Sequence, residues 1–388
     1  MTRTSKTNLL ILGVYPESEG YPNIKYRLRD LVNAAQLAVE IIHVAIWPET
    51  ISNQGKAQFL KTSWRFVIAH VLAVFKYWRS PYKTRVYIPY PAVFIGFLIS
   101  CLPKSRQPER LFIDAFISLY DTVCIDRRLM SSRHILAKVL FWIERRAYQH
   151  CQAVIVDTEQ NADYLSQLFA LPRAKFVAIP LSTHEQQFSV PAYVPIVNKP
   201  HYQVLFIGTL IPLHGLEVIL GAMQLLSTQA TLHFKIIGNG QLAPLIDEFM
   251  RQQVAHVEWI KDWQSQAQLL EAINEADICL GIFGTTPKAQ RVCPLKIYSY
   301  AACGRAVITA DTEWMRHHVT DHTNPPFVLI PAGSPVALAN ALNSLISEPQ
   351  QIQRIALAGQ AFYQQQLSNR QATTQFINLI NDSDSFVI

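Results

Sequence analysis

Residues 202–227, YQVLFIGTLIPLHGLEVILGAMQLLS, begin with a continuous apolar run and continue into a helical pattern. The run YQVLFI has the composition of a strand that is buried on both faces, and Gly208 follows it directly. After Gly215, apolar residues recur at helical spacing. A strand, a short glycine-containing loop and a helix form the repeating unit of a parallel sheet, so this stretch predicts an α/β fold.

The same alternation continues in both directions along the chain. Right-handed crossovers between such strands imply a doubly wound sheet in each half of the sequence. Helices are predicted at 25–39, 131–151, 243–253, 265–276, 294–303 and 334–348. Strands are predicted at 8–15, 40–47, 84–90, 110–116 and 153–158, and then at 231–238, 256–260, 277–283 and 306–310.

The length of 388 residues, half of them hydrophobic, predicts two domains with separate cores. A proline-rich segment without helical period, SVPAYVPIVNKP, divides them. We therefore expect a first domain at 1–188, a linker at 189–200, a second domain at 201–365 and a tail at 366–388 that packs back toward the first domain. Two parallel-sheet domains in tandem would leave a ligand cleft between them.

Charge and cysteine usage limit the function classes. The net charge is +6, from 34 Lys and Arg against 28 Asp and Glu. The basic residues are scattered and form no nucleic-acid-binding motif, which favours a phosphate-bearing small molecule or an anionic membrane over nucleic acid. The six cysteines form no Cys-x-x-Cys pair, so we expect buried, reduced thiols in a cytoplasmic protein. No secretory signal is expected.

Several stretches in the second half resemble one enzyme family. They are VLFIGTLIPLHGLEVILGAMQLL, FKIIGNGQ, ADICLGIFGTTPKAQRVCPLKIYSYAACGRAVITAD and GSPVALANALNSLI, and the match extends over nearly all of 202–348. The chain resembles the family-4 retaining glycosyltransferases of the GT-B fold there, and FIDAFISLYDTVCIDRR resembles their acceptor half more weakly. The resemblance implies two Rossmann-like, doubly wound domains that face each other across a cleft.

The resemblance also implies an activity. It is the transfer of a sugar, with retention of configuration, from a nucleoside-diphosphate sugar to a glycan or lipid-linked acceptor, without a metal or a separate cofactor. Such a hexosyl or glycosyl transfer would serve the synthesis of cell-surface polysaccharide or lipopolysaccharide. A sugar-nucleotide epimerase would need acidic and His groups that the sequence does not place.

Two glycine loops are expected to bind the donor. The family carries Arg directly after the first glycine and Lys directly before the second, but here those positions hold Thr209 and His214. The alternative for His214 is a loop histidine without a ligand, and the alternative for the second loop is a tight turn. The residues predicted to bind the donor in these loops are Gly208, Thr209, His214, Gly215, Gly238 and Gly240.

A neighbouring basic loop completes the predicted donor site with Lys288, Arg291, Lys296 and Ser299. The family has two Glu residues in this region, and the alignment puts Arg291 and Ser299 in their places. One hypothesis is that phosphate binding has moved to these cations, with a ribose contact from Ser299. The other is that the donor site is degenerate, that the cations are solvated, and that the chain is a non-catalytic, glycan-binding or partner subunit.

In the first domain, Asp114 and Asp121 are the candidate catalytic carboxylates, Asp114 being the first choice. Each could instead be a helix cap or a structural ion pair. Lys25 and Arg27 either face the cleft or belong to an ordinary helix start. The resemblance implies that the leaving diphosphate itself assists the attack of the acceptor, so a dedicated base is not required.

Two further clusters have competing interpretations. His317, His318 and His322 look like metal ligands, but their place beside two prolines favours a variable loop without metal. Residues 64–83 combine Trp, Tyr, Arg and Lys around an apolar centre. They predict either a packed crossover helix or an amphipathic helix at the inner, anionic face of a membrane, which would suit a lipid-linked acceptor. The apolar run 86–102 is broken by two prolines, so we expect a strand and a buried helix there instead of a membrane span.

Overall fold

The computed structural model describes residues 6–17, 20–45, 56–81, 84–188, 193, 199–252, 254 and 256–382, with the backbone alone for 56–63 and 186–187. The chain divides into two compact units. The first comprises Met1–Ser182 and Asn369–Ile388, and the second comprises Thr183–Ser368. Most of the predicted linker at 189–200 lies outside the described residues, as do Tyr82, Lys83 and residues 383–388.

A parallel sheet forms the centre of the first unit, with six strands among the described residues in the order β2-β1-β3-β4-β5-β6. Alternate residues of its strand β1 enter different clusters. Leu9 and Ile11 join one buried hydrophobic cluster, and Leu10 and Leu12 join another. This two-sided burial explains the continuous apolar run in the sequence. The strands are β1 (Thr7–Gly13), β2 (Leu37–His43), β3 (Arg85–Ile88), β4 (Arg110–Asp114), β5 (Ala153–Val156) and β6 (Phe176–Ala178).

In the first unit, the helix at Glu159–Leu168 was not predicted, and another helix differs from the prediction at one boundary. The helix predicted at 25–39 ends at Asn33, and Leu37 already pairs with Thr7 in the sheet. The expectation of helix at 37–39 was therefore wrong, because parallel pairing decides the structure of that apolar segment. The apolar run 86–102 forms a strand and a helix, as predicted. The helices are α1 (Pro22–Asn33), α2 (Lys56–Arg79), α3 (Val93–Ser100), α4 (Ile135–His150) and α5 (Glu159–Leu168).

A second parallel sheet forms the centre of the second unit, and its described strands have the order β12-β11-β10-β7-β8-β9. Phe206, Ile236 and Ile308 lie in its main hydrophobic cluster. The sequence predicted every strand except the last, which has only three residues. The strands are β7 (Tyr202–Ile207), β8 (Leu232–Ile237), β9 (Val257–Ile260), β10 (Ile278–Leu280), β11 (Ala306–Ala310) and β12 (Val328–Ile330).

Helices cover this second sheet, and α10, α12, α14 and the four-residue α6 were not predicted. The first two are short, and α14 lies in a glutamine-rich stretch with few strong apolar signals. The helices are α6 (Glu185–Phe188), α7 (Leu216–Leu225), α8 (Ala243–Arg251), α9 (Gln266–Glu275), α10 (Pro287–Arg291), α11 (Leu295–Ala302), α12 (Glu313–His318), α13 (Pro335–Ser347) and α14 (Pro349–Phe362).

The last helix, α15 (Asn369–Asn381), belongs to the first unit. Phe376 packs edge-on against Tyr87 of β3, with 4.8 Å between the ring centroids. The side chain of Arg85 donates to the carbonyl of Ile380 over 2.9 Å. The end of the chain therefore contributes to the core of the unit with which the chain begins.

The cysteines are free thiols, and all are buried except Cys101. The expectation that Cys101 is buried was wrong, because it follows the last residue of α3 at the surface. Within the part of the chain that the structure describes, no helix is long and apolar enough to cross a membrane.

Candidate functional site

The most promising site in the second unit lies where β7 ends. Strand β7 has β8 on one side and β10 on the other, so the chain leaves β7 toward β8 and later returns on its opposite side. In open parallel sheets, ligands bind at such a switch point, outside the carboxyl ends of the strands. The loops that follow β7, β8 and β10 carry most of the residues predicted to bind a donor.

Glycines allow these three loops to pack closely. A Cβ atom on Gly238 would lie 2.0 Å from the carbonyl oxygen of Gly208, and both residues have positive φ angles. A Cβ atom on Gly215 would lie 2.5 Å from the backbone nitrogen of Gly284. One on Gly240 would lie 2.8 Å from the nitrogen of Leu210. The predicted glycines are therefore required by the contacts between neighbouring loops, independently of any ligand.

Lys296 points its ammonium at the end of β7. A Cβ atom on Gly208 would lie 2.7 Å from its Nζ. The side chain as a whole is half-buried, but Nζ itself has no exposed surface and no hydrogen-bond partner among the described residues. Burial lowers the pKa of Lys296 well below its usual range. An ammonium in this position lacks the acceptors that it would have in water.

The surroundings of Lys296 compensate only part of that loss. Its Nζ lies 3.8 Å from the ring centroid of Phe206, a contact worth roughly 0.5–2 kcal/mol. Burying an ion costs several kcal/mol. Lys296 also lies in the first turn of α11, where the helix dipole disfavours a cation and favours an anion. A bound anion would therefore stabilise both the ammonium and the helix end.

His214 lies beside this ammonium and is buried. Its Nδ1–H donates to the carbonyl oxygen of Thr209 over 2.5 Å. Burial and the charge of Lys296 lower the pKa of His214 well below its usual range, so the ring is neutral at pH 7. In this tautomer Nε2 is an acceptor, and a hydrogen bond from His214 to a phosphate would require a second proton. The placement favours a role for His214 in packing the loop, whereas Thr209 is exposed.

The other predicted donor residues occupy different environments. Arg291, at the end of α10, has only 7% of its surface exposed, so it is not a solvated loop cation. Lys288 is half-buried. The Ser299 hydroxyl donates to the carbonyl of Leu295 over 3.4 Å, which leaves its oxygen lone pairs available to accept. The hypothesis of three solvated cations therefore does not describe Arg291 or the ammonium of Lys296.

Sequence reasoning missed two residues that support this site. The Phe206 ring faces Lys296, as described above. The hydroxyl of Tyr300 accepts a hydrogen bond from the backbone N–H of Ile207 over 2.9 Å, which ties α11 to the end of β7. Tyr300 is fully buried. The available signal for Tyr300 was its position one helical turn after Lys296. Aromatic residues in strands and helices, however, usually belong to the hydrophobic core.

In the first unit, Asp114 belongs to a buried network. Its Oδ2 accepts from Nη1 of Arg27 over 3.1 Å and from the Tyr87 hydroxyl over 2.8 Å. Its Oδ1 accepts from the backbone N–H of Phe116 over 3.1 Å. Arg27 is buried, and this ion pair holds its guanidinium in the interior of the first unit. Lys25 is half-buried and lies near the ring of Tyr26.

The arrangement favours the structural ion pair for Asp114, and its catalytic role stays a prediction. Asp121 is also buried, and the hydroxyl of Tyr164 donates to it over 2.8 Å. Nearby, Glu144 accepts from the backbone N–H groups of Leu119 and Tyr120 and from the Tyr148 hydroxyl. Burial raises the pKa of Glu144, while these hydrogen bonds oppose the shift. No motif in the sequence singles out Glu144.

His317 and His318 lie at the end of α12, and His322 follows that helix. His318 stacks on Trp314 at 4.1 Å between ring centroids, and its Nδ1 lies 2.9 Å from the Trp314 carbonyl oxygen. Among the described residues, no group of three or more His, Cys, Asp or Glu side chains is placed to hold a metal ion.

Comparison with known proteins agrees with this architecture. Residues 201–348 match the family model of the glycosyl transferases group 1. Anabaena HepE in complex with UDP is 16% identical, with a TM-score of 0.63 over 97% of this chain and 100% of that one. Sucrose-phosphate synthase from Thermosynechococcus elongatus is 15% identical, with a TM-score of 0.69 over 97% and 98%. A glycosyltransferase from Rickettsia africae is 11% identical, with a TM-score of 0.62 over 97% and 98%.

No curated protein sequence gives a significant match. The solved structures nevertheless resemble this chain over nearly its whole length, and they share its paired parallel sheets. The fold class expected from the sequence is confirmed. The chain has the GT-B fold, and its residues 201–348 match the family model of the glycosyl transferases group 1.

Proposed function

We propose that this protein transfers a sugar from a nucleoside-diphosphate sugar to a glycan or lipid-linked acceptor, with retention of configuration. The observation that carries the proposal is the buried, unpartnered ammonium of Lys296 below the glycine loop that ends β7. A diphosphate over Gly208 would supply the missing acceptors. HepE, one of the structures with this fold, was solved with UDP and with UDP-glucose, which supports a donor of this class.

In the proposed reaction, the bond between the anomeric carbon and the phosphate oxygen breaks while the acceptor oxygen forms its bond on the same face. Negative charge develops on the leaving diphosphate, and Lys296 stabilises it electrostatically. The acceptor hydroxyl loses its proton to the leaving diphosphate. The proposal requires no metal, because cationic side chains offset the diphosphate charge, and no dedicated base, because the leaving diphosphate accepts the proton.

We propose supporting roles for two further residues. Arg291 provides a second buried cation near the start of α11 and takes over part of the phosphate binding. Ser299 accepts a hydrogen bond from a hydroxyl of the nucleotide sugar, because its own hydroxyl proton is donated to the carbonyl of Leu295. The proposed setting is the cytoplasmic face of a membrane, where a polysaccharide or lipopolysaccharide precursor is extended.

A second candidate is a non-catalytic subunit that binds a glycan or a partner. The observation in its favour is that Arg291 and Ser299 occupy the positions where the family carries Glu. A panel of UDP-, GDP- and ADP-sugars separates the two functions when binding is measured by calorimetry and turnover by nucleotide release. Binding with release supports the enzyme, whereas no binding and no turnover with any donor supports the non-catalytic subunit.

The Lys296→Met variant tests whether the observed site is the one that binds. We expect nucleotide affinity to fall ~10- to 150-fold, the range for losing a hydrogen bond to a charged group. Lys261→Met is the matched control, because Lys261 lies in the same unit and pairs with Asp247 at the surface. Unchanged nucleotide affinity in Lys296→Met would show that the nucleotide binds at another site.

A further inference from the structure

Helix α2 exposes an apolar stripe on the first unit. Trp64, Ile68, Val71, Phe75 and Trp78 follow one another at intervals of four and three residues, which places them on one face of the helix. Trp64 is 67% exposed and Phe75 is 54% exposed. Val67 and Leu72 widen the stripe on its two sides. Large apolar side chains therefore point away from the sheet along most of the described length of α2.

This stripe is separate from the face of α2 that packs on the protein. Ala69, Ala73 and Tyr77 are buried there, four residues apart. The outward face thus carries larger apolar residues than the inward face does. A crossover helix that only covers a sheet would be polar on its outward face, so packing within the unit does not account for the composition of α2.

Helix α4 also has an apolar outward face, which was not predicted from the sequence. Ile135, Leu136, Val139 and Trp142 are all exposed, and Ile135 reaches 67%. More than half of the large apolar side chains that are exposed in the described residues lie on α2 and α4. Monomeric soluble proteins rarely expose apolar side chains in such a concentration.

Helix α3 lies between these two helices and joins their apolar faces. Its Phe94 packs edge-on against Phe66 of α2, with 5.5 Å between the ring centroids. Its Phe97 packs edge-on against Trp142 of α4 at 5.1 Å. We call the outward faces of α2, α3 and α4 the α2–α4 surface.

The segments that carry the α2–α4 surface have charges of one sign. Residues 64–79, 93–106 and 127–143 contain no Asp or Glu. The Arg79 guanidinium lies over the Phe75 ring at 5.7 Å, and that of Arg106 lies over the Trp78 ring at 5.3 Å. The other cations of these segments are Arg65, Lys76, Lys104, Arg127, Arg128, Arg133 and Lys138.

We propose that the α2–α4 surface docks the protein on an anionic lipid bilayer. Apolar side chains would enter the boundary between head groups and acyl chains, and Trp residues prefer that depth. Long Arg and Lys side chains would reach the anionic head groups. A second copy of the chain is a poorer occupant, because a symmetric contact would bring basic rims together without acidic partners.

Docking would keep a lipid-linked acceptor and the protein at the same surface. The inference does not depend on the proposed transfer reaction, since it rests on the composition and exposure of the first unit alone. Its test therefore uses no nucleotide.

Co-sedimentation tests the proposal with vesicles of phosphatidylcholine and with vesicles of an equal mixture of phosphatidylcholine and phosphatidylglycerol. We expect the full chain to bind the anionic vesicles and to bind the neutral ones much more weakly. Trp64→Ala should weaken binding about tenfold, because it removes one buried aromatic side chain from the interface. The matched control is Trp263→Ala in the second unit, since Trp263 is 69% exposed but lies outside the α2–α4 surface.

Charge neutralisation gives a second, independent measurement. Lys76→Gln and Arg79→Gln should each reduce binding about fivefold, the effect of one cation near an anionic surface. Equal loss in Trp64→Ala and Trp263→Ala, or equal binding to both kinds of vesicle, would overturn the proposal. So would an absence of vesicle binding together with a dimer that Trp64→Ala dissociates, because the second copy would then be the occupant. Thermal unfolding of each variant without lipid checks that the exposed substitutions leave the fold intact.

Discussion

The guanidinium of Arg27 donates to the carboxylate of Asp114 over 3.1 Å, and both side chains are buried. Breaking a buried ion pair from one side typically costs about 3–5 kcal/mol, because the remaining charge has no partner. We therefore expect Arg27→Ala to lower the free energy of unfolding of the first unit by that amount, measured by urea denaturation. The control is Arg29→Ala on the same helix, whose partly exposed pair with Asp30 is worth about 0–1 kcal/mol.

The same measurement decides between the two interpretations of Asp114. If the carboxylate is structural, Asp114→Asn should lose stability together with Arg27→Ala. A variant that keeps the stability of the wild type and loses only turnover would instead support the catalytic role predicted from the sequence.

Lys296 should have opposite effects on stability and on binding. Replacing it by Met removes an unpartnered ammonium while keeping most of the side-chain volume. We expect the ligand-free second unit to become more stable by about 1–3 kcal/mol, while nucleotide affinity falls. Thermal unfolding with and without UDP measures both effects. A Lys296→Met protein that is less stable without nucleotide would show that the ammonium has a structural partner.

Arg291 provides a test of the shifted phosphate-binding hypothesis. If it contacts the donor diphosphate, Arg291→Ala should weaken nucleotide binding by about 1.5–3 kcal/mol. Calorimetric titration with nucleoside diphosphates measures this. Because Arg291 is buried, the titration must be accompanied by an unfolding curve, and Arg291→Lys should recover part of the affinity. Wild-type affinity in a folded Arg291→Ala protein would contradict the hypothesis.

Three histidines at the starts of neighbouring strands predict sensitivity to acid. The rings of His201 and His233 stack at 4.2 Å, and those of His233 and His256 stack at 4.6 Å. Partial burial, and then the charges of the two flanking rings, lower the pKa of His233. The unfolded chain therefore binds a proton more readily, so stability is complete above the ordinary His pKa of about 6.5 and falls as the pH drops through it.

Thermal unfolding of the second unit between neutral and mildly acidic pH measures this effect. His233→Phe keeps a ring in the stack and removes the titrating group, so its unfolding midpoint should change less with pH. An equal acid-induced loss in the two proteins would show that other groups determine the sensitivity.

The sequence predicted the sheets better than it predicted the site. The unit from β7 to α7 was readable because its apolar period changes at Gly208 and Gly215, where the chain also turns. The end of α1 could not be predicted, since residues 37–39 are compatible with a helix or a strand. Only their pairing with β1 makes them a strand. The local sequence pattern therefore predicted those helices and strands whose burial is uniform along their length.

The environments of the site residues depend on distant partners. Arg27 and Asp114 are 87 residues apart, and the sequence next to either residue does not indicate that they form a buried pair. Lys296 lies on α11 and Gly208 lies in the loop after β7, so the burial of the ammonium depends on how closely that loop approaches the helix. The sequence could identify the candidate residues, but it could not show which charges are solvated.

Because α15 belongs to the first unit, that unit is built from two separate parts of the chain. Tyr87 and its neighbours need Phe376 to complete their cluster. During synthesis, the whole second unit leaves the ribosome before Phe376 does. The hydrophobic cluster around Tyr87 must therefore remain incomplete until the whole second unit has been synthesised.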